Sequence, residues 1–189
     1  MEGLFITGTN TEVGKTEVAC EILKTLPNAI ARKPVETDCN PIAKDAFRLA
    51  EITNEAIEIV CPYQYKQCSS PEQANKNLQL SDLIKACATD KFVIVEGAGG
   101  FYSPIAKNTL NADFAQELAL DIILVVKDEL GSVSQTLLTI EAIHKKKLNL
   151  KAIILNTFVK NDLNNLSALQ QYTNEKIVKF KSDDFYSLF

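Results

Sequence analysis

Residues 4–16 have the sequence LFITGTNTEVGKT, in which a short apolar run leads into a glycine-containing loop that ends in Gly-Lys-Thr. The usual phosphate-binding loop has a glycine, four further residues and then Gly-Lys-Ser/Thr. Here Thr9 occupies the first glycine position, and the glycine stands one residue earlier, at Gly8. Because backbone N–H groups supply most of the phosphate contacts in such a loop, this displacement leaves the anion-binding parts in place. The stretch therefore predicts a nucleotide-binding loop between a strand and a helix.

Three residues at the end of this loop have the properties that a triphosphate requires. Gly14 lets the main chain approach a phosphate closely, Lys15 can reach the terminal phosphates, and Thr16 can offer a hydroxyl to Mg²⁺. The alternative is a glycine turn that caps a helix and leaves Lys15 in solvent. The position of the loop between an apolar strand and a helical pattern favours the nucleotide site.

The composition predicts one soluble domain over residues 1–189. Apolar residues make up 46% and charged residues 23% of the chain, and the net charge is −4, so we expect neither a nucleic-acid nor a membrane partner. No apolar run approaches the roughly 20 residues that span a bilayer, and the N-terminus lacks a signal-peptide pattern, so we expect a cytoplasmic location. The five cysteines form no C-x-x-C pair, which predicts buried or incidental thiols.

Apolar runs alternate with helical patterns along the chain, which predicts a three-layer α/β/α, P-loop NTPase-like domain with a mostly parallel sheet. Predicted strands cover residues 4–6, 29–35, 92–95, 122–126 and 152–155. Predicted helices cover residues 15–26, 42–51, 81–88 and 132–143. Residues 158–189 are expected to form a divergent, shortened C-terminal part, with a polar turn at 161–165 and weak periodicity in the last fifteen residues. In open sheets of this kind ligands bind beyond the carboxyl ends of the strands.

Further candidates for the site follow other predicted strands or lie in a helix. Glu96 ends the strand 92–95 and precedes a Gly-Ala-Gly-Gly turn, which favours a metal or water position opposite the loop; the alternative is a solvated glutamate at a turn that ends the strand. Lys33 precedes Pro34, whose ring holds the backbone extended, and it is either a second phosphate-facing cation or an ordinary lysine at a strand end. Asp45 lies in a predicted helix, and both a metal role and an incidental aspartate remain open.

Taken together, GTNTEVGKT, KPVET, the single helical aspartate and VEGAGG resemble the dethiobiotin synthetase family in order and spacing from Phe5 to Asn156. The loop of that family carries its first glycine one place early, as Gly8 does here. The resemblance implies an ATP-dependent ligase that closes the ureido ring of dethiobiotin from 7,8-diaminopelargonate, CO₂ or bicarbonate, and MgATP. Mg²⁺ is then the expected metal cofactor, and ATP the co-substrate.

The resemblance also implies roles for particular residues. It implies that Lys15, Lys33 and Thr11 are catalytic, and that Mg²⁺ is bound by Thr16, Asp45 and Glu96. It implies nucleotide binding by Glu12, Val13, Gly14, Lys15, Thr16, Glu17, Asp45, Glu96, Gly97, Ala98, Gly99 and Asn156. Among these, Asn156 resembles the asparagine with which the family reads the base.

For the diamine, the resemblance implies binding by Thr37, by Gly99 and by the helix start at Gly131 and Ser134. The family commonly has an asparagine where this chain has Ser134. The family is homodimeric, and each diamine site is completed by the other subunit, for which Tyr172 is a candidate. A homodimer is therefore expected.

Two departures from the family pattern concern the base. The Asn-Asp pair of the family is Asn156-Thr157 here, and the C-terminal run EKIVKFKSDDFYSLF lacks the Ile-Pro-Trp-Leu-like loop around adenine. We therefore expect weak discrimination among nucleoside triphosphates.

Two other interpretations stay open: an ATPase switch of the class related to partition proteins and cobyrinic acid synthases, and a nucleotide-binding protein without catalysis. The first usually carries an additional lysine early in the loop, where this chain has Thr7-Gly8-Thr9.

Overall fold

The computed structural model describes residues 1–158 and 162–189. The strands are β1 (Gly3–Gly8), β2 (Ile30–Arg32), β3 (Val35–Glu36), β4 (Tyr63–Gln64), β5 (Val93–Glu96), β6 (Pro104–Ala106), β7 (Thr109–Leu110), β8 (Asp121–Lys127), β9 (Leu150–Asn156) and β10 (Ile177–Lys179). The helices are α1 (Lys15–Thr25), α2 (Lys44–Thr53), α3 (Ile57–Val60), α4 (Pro71–Ala74), α5 (Leu80–Cys87), α6 (Asn111–Leu118), α7 (Ser132–Lys145), α8 (Asn165–Gln170) and α9 (Asp183–Tyr186).

A six-stranded sheet in the order β10-β9-β8-β1-β5-β2 forms the centre of the fold, and every neighbouring pair in it is parallel. Both faces are covered, because Phe5 of β1 joins one buried apolar cluster and its neighbour Ile6 joins another. The Phe5 side includes residues of α5, α6 and α7, and the Ile6 side includes residues of α1 and α2. The predicted three-layer α/β fold is confirmed.

The prediction of one continuous second strand over residues 29–35 is wrong. The strand β2 ends at Arg32, and Val35–Glu36 forms the separate strand β3, which pairs with β4 outside the main sheet. Pro34 between them has no backbone N–H to donate to a sheet ladder. The Lys33 N–H instead donates to the Val60 carbonyl at 2.9 Å.

The C-terminal part is more regular than its sequence suggests. β10 adds a parallel edge strand to the sheet beside β9. Phe185 of α9 is fully buried and packs edge-on against the rings of Phe180 and Phe189, while the Tyr186 hydroxyl donates to Glu21 of α1 at 2.9 Å. The tail is thus anchored on α1. The turn predicted at 161–165 begins outside the described residues, and α8 starts at Asn165.

Two further predictions concern membranes and cysteines. Among the helices of the described ranges, none has the length and apolar character needed to cross a bilayer. All five cysteines are free thiols, and four of them are buried, as predicted; Cys68 is exposed.

Candidate nucleotide and substrate site

The loop of residues 9–14 leaves the carboxyl end of β1 and enters α1 through a left-handed bend. Glu12 has φ 55° and Gly14 has φ 90°, and Gly14 is the N-cap residue of α1. No side chain caps this helix start. The N–H groups of its first turn are therefore available to an anion, and the helix dipole favours one there.

Gly14 also lies against the end of another strand. A Cβ atom at this position would come within 2.1 Å of Nδ2 of Asn156, the last residue of β9. That same Nδ2 donates to the carbonyl of Val13 at 3.1 Å. The structure thus places Asn156 beside the loop, where it fixes the loop backbone, and both the φ angle and the space require glycine at position 14.

Lys15 is 7% exposed and points back into the loop, where its Nζ donates to the carbonyl of Asn10 at 3.1 Å. Burial lowers the pKa of Lys15 to about 8, and repulsion by Lys33 adds to this effect, while Glu96 offsets part of it. When a phosphate binds, its negative charge stabilises the charged form of a lysine that is poorly solvated in this way.

Glu96, which ends β5, is the centre of a buried polar cluster. Its Oε1 accepts from Lys33 Nζ at 2.5 Å and from the Thr16 hydroxyl at 3.0 Å. Lys33 is 4% exposed and also lies 3.5 Å from Oδ2 of Asp45. Burial acts to lower the pKa of Lys33, but the carboxylates around it, chiefly Glu96, raise it above its usual value. The Lys33 ammonium is therefore charged at neutral pH.

Glu36 of β3 holds Asp45 in place. Its carboxylate accepts from the backbone N–H of Asp45 at 3.1 Å and of Ala46 at 2.8 Å, which are first-turn donors of α2. Burial raises the pKa of Glu36, although Lys33 counteracts the shift. Glu36 belongs to the KPVET stretch, but nothing in that stretch indicates that it binds a helix start.

The residues around Glu96 fit a magnesium ion. Oε2 of Glu96 is buried and has no hydrogen-bond partner among the described residues, while Thr16 and Asp45 offer oxygens from neighbouring elements. Within residues 1–158 and 162–189, no three His, Cys, Asp or Glu side chains form a complete metal site. Mg²⁺ is commonly held by one or two carboxylates together with substrate phosphates, which matches this donor set.

Three adjoining cavities lie at this edge of the sheet. The loop cavity, of about 310 Å³, is lined by Glu12, Gly14, Lys15, Thr16, Glu17, Asp45, Arg48, Glu96 and Phe158. The central cavity, of about 260 Å³, is lined by Thr11, Glu12, Lys15, Lys33, Glu36, Thr37, Asp38, Asp45, Ala98 and Gly99. The outer cavity, of about 400 Å³, is lined by Thr11, Glu12, Thr37, Cys68, Ser69, Ser70, Pro71, Ala98, Gly99, Ser103 and Pro104. Shared lining residues make the three cavities continuous.

The remaining residues around the central and outer cavities come from two loops. The turn after β5 contributes Ala98 and Gly99, and its Gly97 N–H donates to the Ile6 carbonyl at 3.0 Å. The Thr37 hydroxyl donates to the Ser69 carbonyl at 2.8 Å, which ties the loop after β3 to the loop before α4. Thr37 therefore lies where the central cavity opens into the outer one.

Two predicted substrate residues lie elsewhere. Gly131 and Ser134 begin α7 after β8, and neither lines any of the three cavities. Conversely, two residues that no sequence motif indicates do contribute to the site. Arg48 of α2 pairs with Glu17 at 2.7 Å in the loop cavity, and Asn111 contacts the turn after β5.

Comparison with known proteins adds to these observations. A family model described as an AAA domain matches residues 2–179. The chain is 45% identical to the ATP-dependent dethiobiotin synthetase BioD of Vesicomyosocius okutanii, with 99% of this chain and 93% of the relative covered. It is 43% identical to the protein of the same name from Ruthia magnifica, with 99% and 94% covered.

Solved structures resemble the chain in fold alone. A putative plasmid partition protein from Borrelia burgdorferi, bound to AMPPNP, aligns with a TM-score of 0.60 at 13% identity and covers 98% of this chain and 87% of that one. The signal recognition particle receptor FtsY of Elizabethkingia anophelis aligns with a TM-score of 0.53 at 11% identity, covering 100% and 61%.

Proposed function

Because the chain belongs to the family of ATP-dependent dethiobiotin synthetases, we propose that it closes the ureido ring of dethiobiotin from 7,8-diaminopelargonate, CO₂ and MgATP. The observation that carries this proposal is the central cavity. It shares Lys15 and Asp45 with the loop cavity, shares Thr37 with the outer cavity, and contains Lys33. A nucleotide that enters through the loop cavity and a diamine that enters through the outer cavity would meet at Lys33.

The proposed reaction has three steps. One amine of the substrate adds to CO₂ and loses a proton, which gives a carbamate. A carbamate oxygen then attacks the γ-phosphate, so that ADP leaves and a carbamic-phosphoric anhydride forms. The second amine attacks the carbonyl carbon, phosphate leaves and the ring closes. None of these steps requires a side-chain nucleophile, so the charged residues that line the central cavity can act through electrostatics alone.

The proposed roles of the side chains follow from charge. A carbamate that approaches a triphosphate brings two anions together, so cations must lie on both sides of the transferring phosphoryl group. Lys15 and Lys33, which both line the central cavity, are suited to this task. Thr11 and Thr37 are positioned to hydrogen-bond the carbamate or the free amine. When bound by Thr16, Asp45 and Glu96, Mg²⁺ would neutralise phosphate charge.

For the nucleotide, we assign the phosphates to the loop cavity and the base to the region of Asn156 and Phe158. The first turn of α1, from Lys15 to Glu17, supplies the N–H donors, and Glu12, Val13 and Gly14 supply the loop backbone. The Glu96–Gly99 turn then lies between phosphate and diamine. This assignment is supported by the uncapped helix start and by the contact of Asn156 with the loop.

We infer a homodimer in which Gly131 and Ser134 of one subunit bind the carboxylate of the diamine that occupies the site of the other subunit. The helix start at Gly131 presents backbone donors, and Gly131 has open space around it. Its surroundings expose apolar side chains, since Leu130 is 88% and Leu138 is 64% exposed. Tyr172, which is 68% exposed, is a further candidate for this contact.

The purified protein, supplied with diaminopelargonate, bicarbonate and MgATP, is expected to produce dethiobiotin, which mass spectrometry detects. ADP release should rise at least about tenfold on addition of the diamine, because the γ-phosphate has no proper acceptor without it. Omitting bicarbonate is the control. Basal hydrolysis that the diamine leaves unchanged, with no dethiobiotin formed, would instead favour a nucleotide switch.

Replacing ATP by GTP or CTP is expected to change kcat/KM by less than about tenfold. Strong base selection needs buried polar groups that pair with one base only, and these can discriminate by 10⁴–10⁵. The segment from Lys176 to Phe189 instead packs on α1 and β9 and contributes no lining to the loop cavity. Initial rates with each nucleotide test this expectation, and an ATP preference above about 100-fold would contradict it.

A further inference from the structure

We infer that Asn111 is a positioning residue for the diamine, because it clamps the turn Gly97–Gly100 that closes the central and outer cavities. Asn111 is the first residue of α6 and is fully buried. Its Nδ2 donates to the carbonyls of Ala98 and of Gly100, the latter at 3.0 Å. Its Oδ1 accepts from the Ala98 N–H at 3.2 Å. One side chain thus binds the turn at three backbone atoms.

The chemistry of this clamp is specific to a carboxamide. Two carbonyls require two donors and one N–H requires an acceptor, and only Asn or Gln offers two N–H donors and an acceptor oxygen in a single planar group. The approach is close, since a Cβ atom at Gly97 would come within 2.7 Å of Oδ1 of Asn111. The glycine at 97 and the asparagine at 111 therefore form a matched pair, although α6 lies after the intervening β6–β7 hairpin.

The two halves of the turn are held by different parts of the fold. The first half belongs to the sheet, because Gly97 bonds to Ile6 of β1 and Glu96 is held by Lys33. The residues after Gly97 are held by Asn111 of α6 and by Ser103, whose Oγ accepts from the Gly100 N–H at 2.8 Å. Immediately after the turn, the Phe101 N–H donates to the Gly8 carbonyl of β1 at 3.1 Å. Losing Asn111 therefore frees Ala98 and the Gly100 carbonyl, while Gly97 stays bonded to the sheet and the Gly100 N–H stays bonded to Ser103.

This division predicts an effect on one substrate. Ala98 and Gly99 line the central cavity, where the diamine meets the nucleotide, and the outer cavity, through which the diamine enters, but neither lines the loop cavity, to which we assign the nucleotide phosphates. Asn111 accordingly acts mainly on diamine binding, and its loss should affect nucleotide binding much less. The identification of the affected substrate as the diamine rests on the proposed function, whereas the hydrogen bonds between Asn111 and the turn do not depend on it.

The test uses Asn111→Asp and Asn111→Ser. Aspartate keeps the shape but replaces the Nδ2 donor by an oxygen that faces two carbonyls, and serine keeps one short hydroxyl should the aspartate variant fail to fold. We expect the KM for the diamine to rise about 10- to 100-fold, since a displacement near 1 Å has an effect of this size. The KM for MgATP should change by less than about threefold.

Asp113→Ala is the matched control on the same helix. Asp113 accepts from the Leu110 N–H at 2.8 Å and pairs with Lys146 at 2.7 Å, but it does not contact the turn. Its loss should destabilise α6 while leaving both KM values near those of the wild type. The inference would be overturned if Asp113→Ala raised the diamine KM as much as the Asn111 variants do. It would also be overturned if the Asn111 variants raised the KM for MgATP as much as the KM for the diamine.

Amide hydrogen exchange of the segment Gly97–Phe101 provides a readout that needs no activity. In the Asn111 variants, exchange in this segment should quicken at least about tenfold, and in Asp113→Ala it should stay near the wild-type rate. Unchanged exchange in a folded Asn111 variant would show that no clamp exists. If the wild type makes no dethiobiotin, the proposed function fails, but the exchange result still decides whether Asn111 holds the turn.

Discussion

Lys33→Ala is expected to lower dethiobiotin formation by about 10³-fold while MgATP binding changes little. Removing a single preorganised group that stabilises developing charge typically reduces kcat by 10²–10³. Lys33 lines the central cavity but not the loop cavity, so the nucleotide keeps its own contacts. Single-turnover formation of dethiobiotin and calorimetric binding of MgATP measure the two quantities. A variant with wild-type turnover would contradict the role of Lys33.

The same change should also reduce stability, and the experiment must separate this effect. Lys33 is the buried cation beside Glu96, which is 1% exposed, and removing one partner of a buried pair costs about 3–5 kcal/mol. We expect Mg²⁺ with nucleotide to restore part of this loss, because it would bring positive charge to Glu96 and Asp45. Lys91→Ala, which removes an exposed lysine, is the control and should leave both activity and stability unchanged.

Lys15→Met is expected to stabilise the nucleotide-free protein at pH 7 by about 2–3 kcal/mol. The pKa of Lys15 is lowered from 10.5 to about 8, mainly by burial, so charging it costs more in the folded than in the unfolded chain. This cost is fully present below pH 8, shrinks as the pH rises towards 10.5, and disappears above that value. The stabilisation by methionine should therefore fall below about 1 kcal/mol at pH 10.

Denaturant unfolding at pH 7 and pH 10, without nucleotide, measures this difference. Lys24→Met, on the exposed side of the same helix, is the control and should change stability by less than about 0.5 kcal/mol. MgATP should stabilise the wild type but hardly stabilise Lys15→Met, since the phosphates lose their buried cation. A Lys15→Met protein that is less stable than the wild type at pH 7 would contradict this interpretation.

Long and strongly apolar elements were predictable from the sequence. The runs at 92–95, 122–126 and 152–155 are the strands β5, β8 and β9, because central parallel strands are buried on both faces and need continuous apolar residues. The helices that begin at Lys15 and Ser132 also start where predicted. In these segments local pattern and tertiary environment agree.

Short elements were not predictable, because their structure depends on distant partners. β10 is a three-residue edge strand with lysines beside its apolar residues, and only its pairing with β9 makes it a strand. β3 has two residues and owes its separation from β2 to Pro34 and to the partner strand β4. Neither segment carries a periodic pattern long enough to detect.

For the site, the sequence by itself determined the chemistry: a glycine-rich loop with Lys15 and Thr16, a lysine at 33 and a carboxylate at 96, each next to a predicted strand end or helix start. Only the tertiary structure decided how they combine. It places Lys33 2.5 Å from Glu96, buries Lys15, leaves one oxygen of Glu96 unpaired and brings Asn111 to the turn after β5. The physical reason is that propensity and periodicity act over a few neighbouring residues. Distances between strand ends, by contrast, depend on strand order, which places β1 between β5 and β8 through pairing of segments far apart in the chain.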